Sequence, residues 1–126
     1  MKSFAFSTFI FGFMLFGIIF YQFALEKKSN EINLIADKIE ESVSANMKED
    51  SRKQIDALSE KFSEVKEWIM AFEDHEQISL MAQCVESMKA NCEYYDNNGL
   101  LTELLKFRYL LNYSVESVKP TINNIL

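Results

Sequence analysis

The sequence predicts an all-α protein, with an N-terminal transmembrane helix followed by an antiparallel bundle of three to four helices. Three observations carry that prediction. Residues 3–25, "SFAFSTFIFGFMLFGIIFYQFAL", contain no charged side chain. From Ile32 onward, apolar residues recur at alternating steps of three and four, the spacing of helix stripes that pack as in a coiled coil. The 126 residues include only three glycines and one proline, too few turn formers for a sandwich or barrel.

The uncharged stretch of 23 residues would span ~34 Å as a helix, against ~30 Å of bilayer hydrocarbon. A core helix this apolar would need more protein around it than the chain supplies. A cleaved leader has a shorter apolar run and a small-x-small exit, whereas this stretch leaves through Tyr21-Gln22-Phe23-Ala24-Leu25. Residues 1–25 are therefore expected to be an uncleaved single-pass anchor held in the lipid bilayer through residues 3–25, with Tyr21 at the interfacial aromatic belt. The positive-inside count gives Lys2 and the amino terminus on one side and Lys27, Lys28 and Lys38 on the other, and so does not favour an external domain. The very short tail before the apolar run is nevertheless how a signal-anchor begins, and the expected placement of the C-terminal domain is extracytoplasmic. Two cysteines suit either compartment.

Residues 26–126 are expected to form the bundle, with helices at about 27–47, 51–72, 75–96 and 100–118. The first stripe is Ile32, Ile35/Ala36, Ile39, Val43 and Met47. The second is Ile55, Leu58, Phe62, Val65, Ile69 and Phe72. The third is Ile78, Met81, Val85, Met88, Cys92 and Tyr95, and the fourth is Leu100/Leu101, Leu104, Phe107, Leu111, Val115 and Val118. Continuing the second stripe past Phe72 lands on Glu76 and Ser79, so a corner is expected near residues 73–76. Folding there pairs apolar positions whose numbers sum to 150, Leu58 with Cys92 among them, and gives an antiparallel hairpin. A second fold at Asn97-Asn98-Gly99, residues that tolerate the left-handed conformation ending a helix, pairs positions summing to about 196. It leaves Arg108 as the odd member opposite Met88, its stem on the core edge and its head reaching Glu86 or solvent. Ser51, with Gln54 three residues on, is expected to cap the second helix. Lys119-Pro120 is expected to end the last one.

The composition excludes some functions. Beyond Leu25 there are twelve basic and nineteen acidic side chains, a net of −7, and such a field repels nucleic acid. His75, the only histidine, lies among Glu73, Asp74 and Glu76. Structural zinc takes three or four ligands, commonly cysteines or several histidines, and neighbouring residues cannot all turn inward. The expectation is a corner without metal, in which Asp74 caps the third helix and Gln77 completes the box beside His75. No phosphate loop, nucleophile elbow or histidine–carboxylate relay is present, so no catalytic residue, enzymatic activity or cofactor is expected. Cys84 and Cys92 stand ~12 Å apart along one helix and cannot pair with each other. Cys92 reads as core, and Cys84, off the stripe, as free to link two molecules.

Trp68, Tyr94, Tyr109 and Tyr113 also fall outside the stripes. They widen the core or form a face for a protein partner or a second copy of the chain. A non-enzymatic, membrane-anchored interaction or scaffold module is the expected function. The alternative is an extracytoplasmic sensor or small-ligand-binding bundle, suggested by the aromatic and methionine-rich interior.

The order of features resembles a known family. The anchor leads into "EKKSNEINLIADKIEESV", a Trp68-containing helix ends at "FEDHEQI", and "LLTELLKFRYLLNYSVESV" precedes a terminal "PTINNIL". These segments are similar to a bacterial family catalogued as domain of unknown function 4363. The resemblance implies an anchored helical bundle and brings with it neither an activity nor site residues.

Overall fold

The computed structural model describes residues 2–70 and 75–125, with side chains described for 2–70 and 75–116. Among these residues there are four helices and no strands: α1 (Lys2–Ser44), α2 (Lys48–Met70), α3 (His75–Glu93) and α4 (Asn97–Ile125). Each packs against its chain neighbours, and α4 returns to α1, which closes an up-down-up-down four-helix bundle. The buried positions are Leu25, Ser29, Ile32, Ala36, Ile39 and Val43 on α1, and Ser51, Ile55, Leu58, Phe62, Val65 and Ile69 on α2. Both series alternate steps of four and three, the seam of a left-handed bundle. α3 and α4 complete the core with Ile78, Met81, Val85, Met88 and Cys92 facing Leu100, Leu104, Phe107, Leu111 and Val115. Phe62 and Phe107 meet edge-on with ring centres 5.5 Å apart. Phe72 and the side chain of Val118, expected members of the stripes, lie outside the described residues.

The apolar segment and the first bundle helix are one uninterrupted 43-residue helix, ~65 Å long. Its N-terminal part is long and apolar enough to cross a membrane, and none of that part is buried within the protein. The bundle begins earlier than residue 26. Leu25 is fully buried, and Tyr21 already packs on Trp68 with ring centres 5.4 Å apart.

Both corners at the far end differ from the sequence expectation. α1 stops at Ser44, where Met47 N–H bonds the Ser42 carbonyl and Asn46 N–H the Val43 carbonyl. That is a Schellman closure with Asn46 at φ 58°. Met47, placed on the stripe by its spacing, falls beyond the helix end and is exposed. Ser51 does not cap α2: it lies in the second turn, and its hydroxyl donates to the Met47 carbonyl at 2.9 Å. At the other corner Asp96 N–H bonds the Asn91 carbonyl and Tyr95 N–H the Cys92 carbonyl. Tyr95, at φ 59°, takes the left-handed position expected of Asn97–Gly99, and no glycine has a positive φ. Tyr95 is consequently exposed rather than core.

α4 starts at Asn97 because Asp96 caps it, accepting the Gly99 N–H at 2.9 Å. A Cβ at Gly99 would stand 2.5 Å from Asp96 Oδ2 and 2.9 Å from Asn91 Nδ2, so those side chains would have to shift. Arg52 on α2 pairs with Glu93 on α3, and Ile55 and Asp56 border a crevice with Lys89, Cys92 and Glu93. Pro120 does not end α4, which runs on to Ile125. Proline removes its own N–H from the ladder without forbidding helical geometry to the residues after it.

Candidate functional site

Three regions bring chemistry-bearing side chains together. The first is the tip, where the two Schellman corners meet. Asn97 Nδ2 donates to Asn46 Oδ1 at 2.9 Å. Lys48 Nζ donates to the Glu93 carbonyl at 3.2 Å and stands 3.8 Å from the centre of the Tyr95 ring. Arg52 pairs with Glu93 and Glu49. A cavity of about 170 Å³, bordered by Val43, Ser51, Cys92 and Leu100, lies beneath this latch. Cys92 Sγ faces the Lys48 carbonyl at 3.9 Å. Burial raises its pKa, which Arg52 and Lys48 partly counter, so the thiol is not activated as a nucleophile at neutral pH. The cations are engaged with carboxylates, a carbonyl and a ring, and the arrangement ties one hairpin to the other.

The second region is the junction between the apolar segment and the bundle. Trp68 is half-buried against Tyr21, and the Lys28 ammonium lies 5.9 Å above its ring. Trp68 thus packs on α1 and does not share a surface with the tyrosines of α4, which is diagonal to α2. Tyr94 stands apart again, exposed at the tip. His75 is exposed at the first residue of α3, and Gln77 is half-buried in the first turn. Asp74, the expected cap, lies outside the described residues, as does Glu73.

The third region is the outer face of α3 and α4. A groove of about 770 Å³ runs between Leu80, Gln83 and Ser87 on α3 and Glu103, Lys106, Tyr109 and Leu110 on α4. Leu105 and Tyr109 are about 70 % exposed, Tyr113 52 % and Leu80 40 %. Leu105, Tyr109 and Tyr113 follow one another by four residues and form a row down α4. Of the expected partner residues, the structure brings only Tyr109 and Tyr113 together, and it adds Leu80 and Leu105, which the sequence reading missed. Cys84 forms the groove floor. It is 6 % exposed, not the free surface thiol its place off the stripe suggested, because α4 packs over the wider arc that includes it. Burial, with the Glu103 carboxylate beside it, pushes its pKa up to about 11.

Arg108 borders this face from the opposite flank of α4. It does not reach Glu86, which pairs with Lys89. Its guanidinium binds Asp37 at 2.9 Å and Glu40 at 3.0 Å on α1. α1 is close enough to receive it because α4 packs on both α1 and α3.

Neither the curated proteins nor the solved structures compared contain a match to this chain. The family model described as a domain of unknown function (DUF4363) matches residues 19–125. That range takes in the Tyr21–Trp68 junction and all four helices of the bundle. The chain belongs to the DUF4363 family.

Proposed function

We propose that this protein is a membrane-anchored interaction module without enzymatic activity, whose working surface is the outer face of α3 and α4. The observation that carries this is the contrast between faces. α1 from Glu26 and α2 carry nineteen charged side chains in 42 residues, whereas α3 and α4 carry nine in 48. The charge-poor side also bears the exposed row of Leu105, Tyr109 and Tyr113. Large apolar side chains gathered on one face of a small domain mark a contact surface more often than a solvated one.

The anchor is supported by Phe4, Phe6, Phe9, Phe13 and Phe16, all more than 60 % exposed on α1. Water would not tolerate that surface, and a bilayer accepts it. The lipid-facing part of residues 3–25 ends near Phe23, since Leu25 is claimed by the bundle. A sensor or small-ligand-binding role would use the same α3/α4 face, because the tip cavity of about 170 Å³ is below the ~300 Å³ at which small-ligand pockets usually begin and the groove of about 770 Å³ is not.

The test is photo-crosslinking of the full chain in its own membranes from an amino acid placed at Tyr109. Repeated recovery of the chain with no protein adduct counts against the interaction reading. The domain lies outside the cytoplasm in this proposal. A cysteine placed at the exposed tip residue Tyr94 should then react with a membrane-impermeant thiol reagent in intact cells. Reaction only after lysis reverses the orientation.

A further inference from the structure

The partner for the α3/α4 face follows from its charge, its size and its attitude to the membrane, and the argument rests on the anchored interaction module proposed above. We propose that this face is the interface between two copies of the chain standing side by side in one membrane, related by a two-fold axis along the membrane normal.

Attitude comes first. Between Gly17 and Ser44, α1 contains neither proline nor glycine and runs as one helix from the apolar segment into the bundle. Sharp helix kinks have local causes, proline and glycine chief among them. The bundle axis therefore continues the anchor's axis, and the α3/α4 face stands upright, parallel to the membrane normal. It cannot lie on lipid headgroups. Two copies inserted the same way into one bilayer can pair through a shared patch only about an axis along that normal, because any other two-fold would invert one anchor. The shared patch then meets itself at equal height.

Charge selects a second copy next. Beyond Leu25 the chain carries a net −7, so most of its surface repels another copy. The α3/α4 side is the least charged part of it, with nine charged side chains in 48 residues, though Glu76 and Glu116 are exposed there. In its groove Glu103 is paired with Lys106 at 3.4 Å. At equal height Glu103 faces the same carboxylate of the second copy, and Lys106 beside it offsets that repulsion. The row of Leu105, Tyr109 and Tyr113 itself carries no charge.

Size agrees. A fully buried tyrosine covers roughly 150–250 Å². With Tyr109 about 70 % and Tyr113 52 % exposed, the rings and the flanking leucines offer roughly half of the ~800 Å² each partner gives to a standard interface. Gln83, Ser87 and Thr102 supply a polar rim of the kind such interfaces have. Confinement of both anchors to one bilayer raises the effective concentration, so a modest interface suffices.

The experiment uses the full chain reconstituted in phosphatidylcholine vesicles. Tyr109→Cys is compared, under mild oxidation, with Asp56→Cys, an exposed position of α2, and with the parent chain, whose own two thiols are buried. A disulfide requires Cα atoms within ~7 Å. The Tyr109→Cys chain should yield at least tenfold more covalent dimer than Asp56→Cys. Energy transfer between chains labelled at residue 56 should fall to the level of random mixing in the doubly substituted Leu105→Glu, Tyr109→Glu chain. Equal cross-linking at 56 and 109, or transfer unchanged by the two glutamates, overturns the interface. So does a result in native membranes where Tyr109→Cys links to a different protein in place of a second copy. Release of the chain from vesicles by an alkaline wash overturns the anchored reading and the interface together. Retention without a link at 109 overturns the interface alone.

Discussion

Cys84 gives the sharpest check on how α4 covers α3. Its side chain is 6 % exposed, and burial, followed by the charge of Glu103, moves its pKa from an ordinary 9.0 to about 11. Alkylating reagents attack the thiolate, whose population falls tenfold for each pH unit below the pKa. A shift of that size leaves roughly 100-fold less thiolate at neutral pH than an ordinary thiol has, before any steric screening is counted. In single-cysteine full-length chains at pH 7.5, iodoacetamide should modify Cys84 at least ~100-fold more slowly in the folded protein than in guanidinium. The folded-state rate should climb about tenfold per pH unit towards pH 11. The stability sign follows from the same shift. The folded pKa lies above the unfolded one, so burial of the neutral thiol stabilises the protein below about pH 9, and that contribution is lost between 9 and 11. Mass spectrometry of quenched time points measures the rates. Modification of folded Cys84 at the unfolded rate would mean that α4 does not cover this position, and the groove as described would be wrong.

Three further substitutions probe other contacts. Phe107→Ala removes a fully buried ring that packs edge-on against Phe62, and denaturant melts in detergent should show a loss of ~3–5 kcal/mol. Arg108→Met keeps the stem and removes the links to Asp37 and Glu40; with both carboxylates more than half exposed, the loss should be ~1 kcal/mol and should shrink in high salt. Asp96→Ala should cost ~1 kcal/mol as a lost cap. Gly99→Ala alone should be nearly neutral, because its gain of ~1 kcal/mol in helix propensity is offset by displacement of the Asp96 carboxylate. In an Asp96→Ala background the same change should stabilise by about that amount.

The core was legible because burial repeats with the helix period. Ile32, Ala36, Ile39 and Val43, and then Ile55 through Ile69, are buried as their spacing required. Periodicity does not reveal where a helix stops. Met47 and Tyr95 fit their stripes by number and lie past the ends, which backbone closure at Asn46 and Tyr95 sets. Nothing in composition marks a tyrosine as the left-handed residue; the compensation is Lys48 over its ring, a contact between segments 47 residues apart in the chain. The junction was misplaced for a related reason. An apolar run shows no change at the residue where packing against the bundle begins, and Leu25 suits either side of it. In the candidate site, Tyr109 and Tyr113 stood out because they lie off the stripe. Leu80 and Leu105 were missed, although the lack of charge across α3 and α4 was a usable signal.

The continuity of α1 gives the candidate face a fixed direction. A helix satisfies its backbone hydrogen bonds internally, so it can pass from lipid to protein without changing geometry. Solvent alone distinguishes Phe16 from Ile32. The seam that binds α2 and α4 starts at Leu25, one turn above Tyr21, and Tyr21, Trp68 and Lys28 form a cluster there. Two aromatic rings and a lysine have the amphipathic character that settles at a membrane interface. On the proposed anchoring, that cluster fixes the height of the bundle above the hydrocarbon. The Arg108 links to Asp37 and Glu40 then lie four to five turns further along α1 and fix how far α4 is rotated about it. Leu105 and Tyr109 share the helix with Arg108 and are held facing away from α1. The surface bearing the exposed row is therefore oriented by the same helix that carries the apolar segment. A swivelling linker would leave that surface free to face any direction; this chain has a helix where such a linker would stand.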